Sequence, residues 1–340
     1  MYTSIVVPLD GSAFGKRALP VALALARRSD AAVHLVHAYE PIVRAGGGPM
    51  YDTRLHDEQR REMRNELTAL AARVSQDTGL RVDAAVLDGP VVPTLHRYLA
   101  GGSHDLVVMM THGRGGLSRA WLGSVADGLV RSTPTPLLLV RPGAEWPNKL
   151  EEPLFCHVLV PLDGSAAADT VLDHAVSLST PDETAYTLLT VVVPLPVLAH
   201  VSLRPEAVAD GADVDDQLEG QRVAAQRHLT AMAKELRESG ALVDTRVVTH
   251  QWPAQGILDV ADGQRVDSIA LSTHGRGGVS RLLLGSVADK VVRGANVPVL
   301  IFRPPHAAAE SAEHGRAGGA AATGGPAPAS PRSADGERVA

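Results

Sequence analysis

Two copies of one glycine-rich stretch hold the residues best suited to chemistry. The sequence THGRGGLSRAWLGSVAD at residues 111–127 returns 162 residues later as THGRGGVSRLLLGSVAD at residues 273–289. Glycine leaves backbone amides uncovered, so that they can approach a ligand closely. Converging amides bind anions, and phosphate is the usual one. The stretch therefore predicts a phosphate site that the chain builds twice.

The Gly-Ser step of each copy is expected to begin a helix. Ser124 is a preferred N-cap residue, and Asp127, three residues later, is a capping-box partner. The second copy repeats this pair at Ser286 and Asp289. Basic residues that suit the helix dipole follow near the other end of each helix: Arg131 and Arg293. A well-capped helix without a ligand is the simpler alternative for the serine and aspartate taken alone.

Glycines precede both predicted helix starts and would leave the first helical amides open. They are Gly113, Gly115, Gly116 and Gly123 in the first copy, and Gly275, Gly277, Gly278 and Gly285 in the second. Arginines of the same loops offer charge-assisted contacts to an anion, or are simply solvated: Arg114, Arg119, Arg276 and Arg281. No Gly-Lys-Ser/Thr sequence follows the glycines, and they come after the fourth predicted strand instead of the first. These two facts exclude a Walker loop and a dinucleotide fingerprint.

Other polar residues have weaker claims to chemistry. His112 and His274 lack a second ligand at metal-like spacing and a nucleophile to activate, so we expect them to form hydrogen bonds within the loops. Asp10 lacks the acidic pair and the downstream lysine of a phosphoacceptor, and is expected to face a ligand from a strand end. Cys156 is the one cysteine and is expected to be a small buried residue at the start of a strand.

Internal repeats define the units that position these residues. SIVVPLDGS at residues 4–12 returns as HVLVPLDGS at residues 157–165, and PLLLVRP at 136–142 returns as PVLIFRP at 298–304. The repeats predict a domain at 1–142, a linker at 143–152, a second domain at 153–305 and a disordered Ala/Gly/Pro-rich tail at 306–340.

Strand and helix patterns alternate within each half, which predicts an α/β fold. In the first half, strands are expected at 5–9, 32–38, 81–87, 105–110 and 137–140, and helices at 13–28, 55–74, after Pro93 and from Ser124. Five such strands form a doubly wound parallel sheet, and the order 3-2-1-4-5 would place a ligand crevice between strands 1 and 4. The sequence after strand 1 and the glycine-rich loop after strand 4 both reach this crevice.

Composition narrows the classes of partner. The net charge is −6 and the pI is about 6.1, which gives no electrostatic footprint for nucleic acid. The longest apolar run, residues 188–201, is too short and too interrupted by proline to cross a membrane. The first residues, MYTSIVVPLDGS, are typical of a strand and not of a signal peptide, so a cytoplasmic location is expected.

The glycine-rich loops and the end of the first strand both resemble motifs of one known family. Gly113, nine residues and then Gly123-Ser124 resemble the nucleotide-binding signature of the universal stress protein family, as do Gly275 and Gly285-Ser286. The VPLDGS ending of strand 1 is similar to the same family. The resemblance covers both halves but not the tail. It implies two tandem Rossmann-like domains of the adenine nucleotide alpha hydrolase-like type, and binding of ATP, alone or with Mg²⁺.

The resemblance also implies roles for particular residues. The strand-1 residues that would bind the nucleotide, with the aspartates beside adenosine, are Pro8, Asp10, Pro161 and Asp163. Ala38 and Val191, at the ends of the second strands, would meet adenine through their backbone. Ribose and phosphates would contact Gly113, Arg114, Gly115, Gly116, Gly123, Ser124 and Val125 in the first half, and Gly275, Arg276, Gly277, Gly278, Gly285, Ser286 and Val287 in the second.

Two positions depart from the family signature, which begins with a glycine where this chain has Met110 and Ser272. Serine is small enough to be tolerated. The methionine side chain would crowd the phosphates if it points into the crevice, so the second site is favoured over the first.

The expected function is that of an ATP-binding regulatory module of the stress response. Two alternatives stay open: a slow ATPase or nucleotide-using transferase, and a scaffold of the same fold that binds no nucleotide. Because family members usually dimerise through the last strand, the resemblance implies an internal pseudo-dimer of the two halves, and it leaves a homodimer open.

Overall fold

A computed structural model describes residues 1–40, 53–111, 122–141, 154–179, 183–194, 211–273 and 284–304, with backbone alone for 53–55 and 211–214. The glycine-rich loops, the predicted linker and the predicted tail lie outside these ranges. The described residues fall within one compact unit, Met1–Pro304.

The elements of the first half alternate between strand and helix, as the apolar patterns predict. They are β1 (Ser4–Pro8), a 3-10 turn (Gly15–Ala18), α1 (Leu19–Ser29), β2 (Ala32–Tyr39), α2 (Thr53–Thr78), β3 (Val82–Asp88), α3 (Val91–Gly101), β4 (Leu106–Met110), α4 (Ser124–Ser132) and β5 (Leu137–Val140). Strands β4 and β5 are buried throughout, which is why their sequences are continuous apolar runs.

The second half repeats this order. Its elements are β6 (His157–Pro161), α5 (Ala166–Asp169), α6 (Val171–Leu178), β7 (Ala185–Val192), α7 (Gly211–Glu238), β8 (Leu242–Thr249), α8 (Pro253–Gln264), β9 (Ser268–Ser272), α9 (Ser286–Gly294) and β10 (Val299–Phe302).

The first helix begins later than the sequence predicted. Residues 15–18 form the 3-10 turn, and α1 starts only at Leu19. Pro20 explains the boundary, because proline has no N–H to donate to the preceding turn and is tolerated only where a helix begins.

Within the described residues the strands form a single ten-stranded sheet, in the order β3-β2-β1-β4-β5-β10-β9-β6-β7-β8. The predicted parallel order 3-2-1-4-5 is therefore confirmed in each half. At the centre β5 and β10 pair antiparallel, with Leu138 opposite Leu300. The two halves consequently run in opposite directions, and the carboxyl ends of their strands lie at opposite edges of the sheet.

Each face of the sheet carries its own apolar cluster, because alternate strand residues point to opposite sides. Val7 belongs to the cluster that packs against α1, α2, α6 and α7. Its neighbour Val6 belongs to the cluster that packs against α3, α4, α8 and α9. Both clusters contain residues of the two halves, so the core is continuous across the central strand pair.

Two arginines fasten the end of each half's last helix to the other half. Arg141, just after β5, donates to the carbonyl oxygen of Val292 in α9. Arg303, just after β10, donates to the carbonyl oxygen of Arg131 in α4. The last turn of a helix has carbonyl groups without partners inside the helix, and here the opposite half supplies donors for them. Burial lowers the pKa of Arg141, whose side chain is held in the interior.

We expect Arg141→Met to lower the free energy of unfolding of the unit formed by the two halves. The variant keeps much of the apolar stem but removes the donor to Val292, and a buried hydrogen bond to a charged group contributes about 1.5–3 kcal/mol. Urea unfolding of the full chain measures the loss. Arg61→Met, on the exposed side of α2, is the control and should change stability by no more than about 0.5 kcal/mol. Equal losses in the two variants would contradict the assignment.

Candidate functional site

The loop that follows β1 is held by the side chain of Asp10. Oδ1 of Asp10 accepts a hydrogen bond from the Ser12 amide at 2.9 Å and from the Ser12 hydroxyl at 2.6 Å. Between them, Gly11 has φ 80°, in the left-handed region that favours glycine. The Ser12 hydroxyl oxygen in turn accepts from the Gly15 amide at 3.0 Å. The Asp-Gly-Ser sequence thus forms a rigid turn at the carboxyl end of the strand.

The second half builds the same turn with the same atoms. Oδ1 of Asp163 accepts from the amide and hydroxyl of Ser165 at 3.0 and 2.6 Å, and Gly164 has φ 79°. Ser165 is the N-cap of α5, and its side chain accepts from the Ala168 amide at 3.2 Å. In each half the aspartate is therefore fixed in position while part of its surface stays accessible.

A second contact locks the end of the second strand to this turn. His37 Nδ1 donates to the Leu9 carbonyl oxygen at 2.7 Å. At the equivalent position of the second half, the Thr190 hydroxyl donates to the Leu162 carbonyl oxygen at 2.9 Å. The sequence analysis missed both residues. The available signal was that a histidine and a threonine, both able to donate, occupy matching places in the repeat just before Ala38 and Val191.

Backbone hydrogen bonds bring the chain back after each glycine-rich loop. The Gly123 amide donates to the Thr111 carbonyl oxygen at 2.7 Å, and the Gly285 amide donates to that of Thr273 at 3.0 Å. Thr111 and Thr273 are themselves tied to the ends of β5 and β10 through their amides. Each loop therefore leaves and re-enters the fold at one point beside the carboxyl end of its fourth strand.

Gly285 is required by this close return of the chain. A β-carbon at this residue would lie 2.6 Å from the Thr273 carbonyl oxygen, closer than side chains approach backbone. The glycine thus has a steric role that the sequence analysis did not foresee, besides leaving the first helical amides uncovered.

The helix starts differ from the predicted capping box, which is wrong in both halves. The N-caps are Gly123 and Gly285, and among the described residues no side-chain hydrogen bond caps either helix start. Ser124 and Ser286 are the first helical residues and are exposed. The closing bond to the threonine carbonyl puts the glycine in the extended cap conformation, and so moves the serine one place into the helix.

The aspartates that were expected to complete the capping boxes instead bind arginines one turn later. Arg131 donates to both carboxylate oxygens of Asp127 at 2.9 and 3.0 Å, and Arg293 Nε lies 3.0 Å from each oxygen of Asp289. These hydrogen bonds raise the pKa of both arginines. Arg293 Nη2 also lies 3.9 Å from Asp127, so the first turn of α4 faces the last turn of α9. Each carboxylate is thus paired with an arginine of its own helix.

The first residues of the signature differ in their surroundings. The Met110 side chain is 5% exposed and packs in the apolar cluster beneath α1. Its counterpart Ser272 is half-buried at the end of β9. The bulk of Met110 is therefore directed into the core.

The described residues include part of the predicted site. Residues at the strand ends and helix starts are described: Pro8, Asp10, Ala38, Met110, Gly123, Ser124, Val125, Pro161, Asp163, Val191, Ser272, Gly285, Ser286 and Val287. The loop residues lie outside the described residues: Gly113, Arg114, Gly115, Gly116, Gly275, Arg276, Gly277 and Gly278, together with His112, Arg119, His274 and Arg281.

Other predictions are tested outside this site. Cys156 is exposed, not buried, because it precedes β6 and donates its amide to Asp267; partial desolvation raises the pKa of its thiol. Across the described ranges, no cluster of three or more metal-binding side chains occurs. Among those same residues, no helix is long and apolar enough to cross a membrane.

A groove outside the predicted residues lies next to the second site. It measures about 310 Å³ and is lined by residues of β8 and α8 that include Arg246, His250 and Asp259. The His250 amide donates to the Val192 carbonyl oxygen at 3.0 Å, so this groove adjoins the end of β7. The first half has alanine and glycine at the positions that match Arg246 and His250, and pattern analysis gave no sign of the groove.

Comparison with known proteins identifies the family of the chain. The universal stress protein family model matches residues 1–141 and 155–303, so the chain belongs to the universal stress protein family. A universal stress protein of Mycolicibacterium smegmatis is 28% identical over 304 residues, which cover 88% of this chain and 97% of the relative. One of Thermus aquaticus, encoded in the QAH/OAS sulfhydrylase 3' region, is 35% identical over 142 residues, which cover 42% of this chain and 100% of the relative. The crystal structure of a universal stress protein from Archaeoglobus fulgidus has a TM-score of 0.59 at 19% identity and covers 88% of this chain and 96% of its own; it supports the fold.

We expect Gly285→Ala and Gly220→Ala to have opposite effects on stability. The methyl group at residue 285 would meet the Thr273 carbonyl oxygen, and such overpacking costs about 1–3 kcal/mol. Gly220 lies within α7 with nothing within 4 Å of an added β-carbon, so alanine there should add about 0.5–1 kcal/mol. Denaturant unfolding of both variants measures the difference. Stabilisation by Gly285→Ala would contradict the steric role.

Proposed function

We propose that the chain binds one ATP in each half and acts as a nucleotide-dependent regulatory module of the stress response. The observation that supports this most strongly is the pair of helix starts at Ser124 and Ser286. Each has a glycine cap and an exposed first serine, and within the described ranges no side-chain hydrogen bond caps it. A helix start of this kind favours phosphate, and each half places one beside a rigid aspartate turn at the same edge of its sheet.

The chemistry of the described residues fits adenosine triphosphate. The amides and hydroxyls at the start of α4 and α9 would donate to phosphate oxygens, and Val125 and Val287 extend this row of amides. Asp10 and Asp163 offer carboxylate oxygens that accept hydrogen bonds, which suits ribose hydroxyls. The backbone at Ala38 and Val191 would serve adenine. The glycine-rich loops would complete the phosphate contacts, with Mg²⁺ as a companion of the triphosphate.

We also propose that the two halves work as an internal pseudo-dimer. The antiparallel pairing of β5 with β10 and the exchanged contacts of Arg141 and Arg303 support this proposal. The working units would be residues 1–142 and 153–305, and a homodimer of the whole chain would use other surfaces.

An aspartate at the first helical residue should have opposite effects on the stability of the helix and on the binding of phosphate. Ser286→Asp and Ser124→Asp should keep the fold or stabilise it by about 0.3–1 kcal/mol, since a negative charge suits a helix start. The same charge should weaken ATP binding at its own site at least about a hundredfold, because two like charges about 4 Å apart near a protein surface repel by roughly 4 kcal/mol. Titration calorimetry should show two ATP per wild-type chain, one in either variant and none in the double variant.

The neutral variants Ser286→Asn and Ser124→Asn are the matched controls, since they add a similar volume without the charge. They should retain ATP binding. We place the charge at the serine because any side chain at Gly285 would itself disturb the loop closure. Unchanged ATP binding in the double aspartate variant would refute the placement. A wild-type chain that shows no heat of ATP binding and no thermal shift would refute the function and favour the scaffold alternative.

A further inference from the structure

A lysine stands at the second candidate site and has no counterpart at the first. Lys290 is the fifth residue of α9, so it lies one turn after Ser286 on the same exposed side of the helix. Side chains on a helix lean toward its N-terminus. The ammonium group of Lys290 is therefore carried back toward the first turn of α9, where the phosphates of the proposed ligand would lie.

The side chain of Trp252 lies beside this ammonium group. The Nζ atom of Lys290 lies 5.9 Å from the centroid of the indole ring, a cation–π contact. The indole is 56% exposed, which is unusual for so large an apolar side chain. Its backbone contacts the His250 ring, whose Nδ1 lies 2.9 Å from the Trp252 amide nitrogen and 2.8 Å from the Trp252 carbonyl oxygen.

The same segment packs against the predicted adenine position. A β-carbon on Gly256, in the first turns of α8, would lie 3.0 Å from the His250 side chain and 3.2 Å from Cγ1 of Val191. The start of α8 is thus in contact with the end of β7. Trp252 is the N-cap of α8, so the indole and the ammonium group lie at the end of α8 that contacts the end of β7.

The positive charge of Lys290 is available to a ligand. Among the ion pairs of the described residues none includes Lys290, whereas Arg293 of the same helix is bound to Asp289. An indole ring stabilises the ammonium group without neutralising it.

The first half has no side chain at this position. The position that matches Lys290 is Gly128 in α4, where an added β-carbon would lie 2.7 Å from Cγ2 of Val92. A side chain there would have to displace Val92 of α3. The two sites consequently differ in charge although their signatures are nearly identical.

We propose that Lys290, positioned by Trp252, recognises the phosphates of a nucleoside polyphosphate at the second site alone. This inference rests on the proposed function. Its consequence is that the second site discriminates ATP from AMP more strongly than the first site does.

Ser124→Asp provides the background for the test, because it leaves only the second site. In that background Lys290→Gln should weaken ATP binding about two- to fivefold at low salt, the range expected for one exposed charge contact. AMP binding should fall by a smaller factor, and the ATP effect should shrink as salt rises. Lys290→Arg should recover most of the loss. Lys234→Gln, on the exposed surface of α7, removes the same charge away from the site and should leave ATP binding unchanged.

The variant in which only the first site remains tests whether Lys290 acts at the second site alone. In Ser286→Asp, which leaves only the first site, Lys290→Gln should have no effect on ATP binding. The inference is overturned if Lys290→Gln leaves ATP binding intact at the second site, weakens ATP and AMP equally, or matches Lys234→Gln. Each of these results would leave ATP binding by the wild-type chain in place, whereas absence of that binding would overturn the proposed function itself.

Discussion

One backbone hydrogen bond in each half determines where the candidate site begins. The amide of the cap glycine donates to the threonine carbonyl at the end of the fourth strand, and this bond fixes both the closure of the loop and the first residue of the helix. Because the glycine occupies the cap position, the serine enters the helix and its side chain faces solvent. The uncovered amides therefore follow from a steric requirement, since a β-carbon at Gly285 would collide with that carbonyl.

The antiparallel central pair sets the relation between the two sites. It turns the halves in opposite directions, so α4 and α9 lie with the first turn of one beside the last turn of the other. A nine-residue helix is about 13 Å long. The two helix starts are thus separated by roughly one short helix, and the ion pairs of Asp127, Arg131, Asp289 and Arg293 lie between them.

Much of this arrangement is predictable from the sequence, because it depends on repeats and on apolar runs. The strand order follows from alternating strands and helices, and the glycines and the strand-1 turn predict the candidate site. The predicted capping box was wrong because the backbone hydrogen bond between the cap glycine and the threonine carbonyl outweighed the preference of serine for the N-cap position. The prediction that Cys156 is buried was wrong because a short apolar segment does not reveal where a strand begins. The contacts of His37, Trp252 and Lys290 join different elements, and no periodicity of the sequence encodes them.

The exchanged arginine contacts and the shared strand pair have a consequence for the origin of the chain. Cut between its halves, each fragment would expose a fully apolar last strand and helix carbonyls that had lost their donors. We expect such a fragment to pair its exposed last strand with the same strand of a second copy, because this would bury the apolar residues again. Two copies joined in one polypeptide would stay associated. Their sequences could then differ, whereas the two subunits of a homodimer always carry the same side chains.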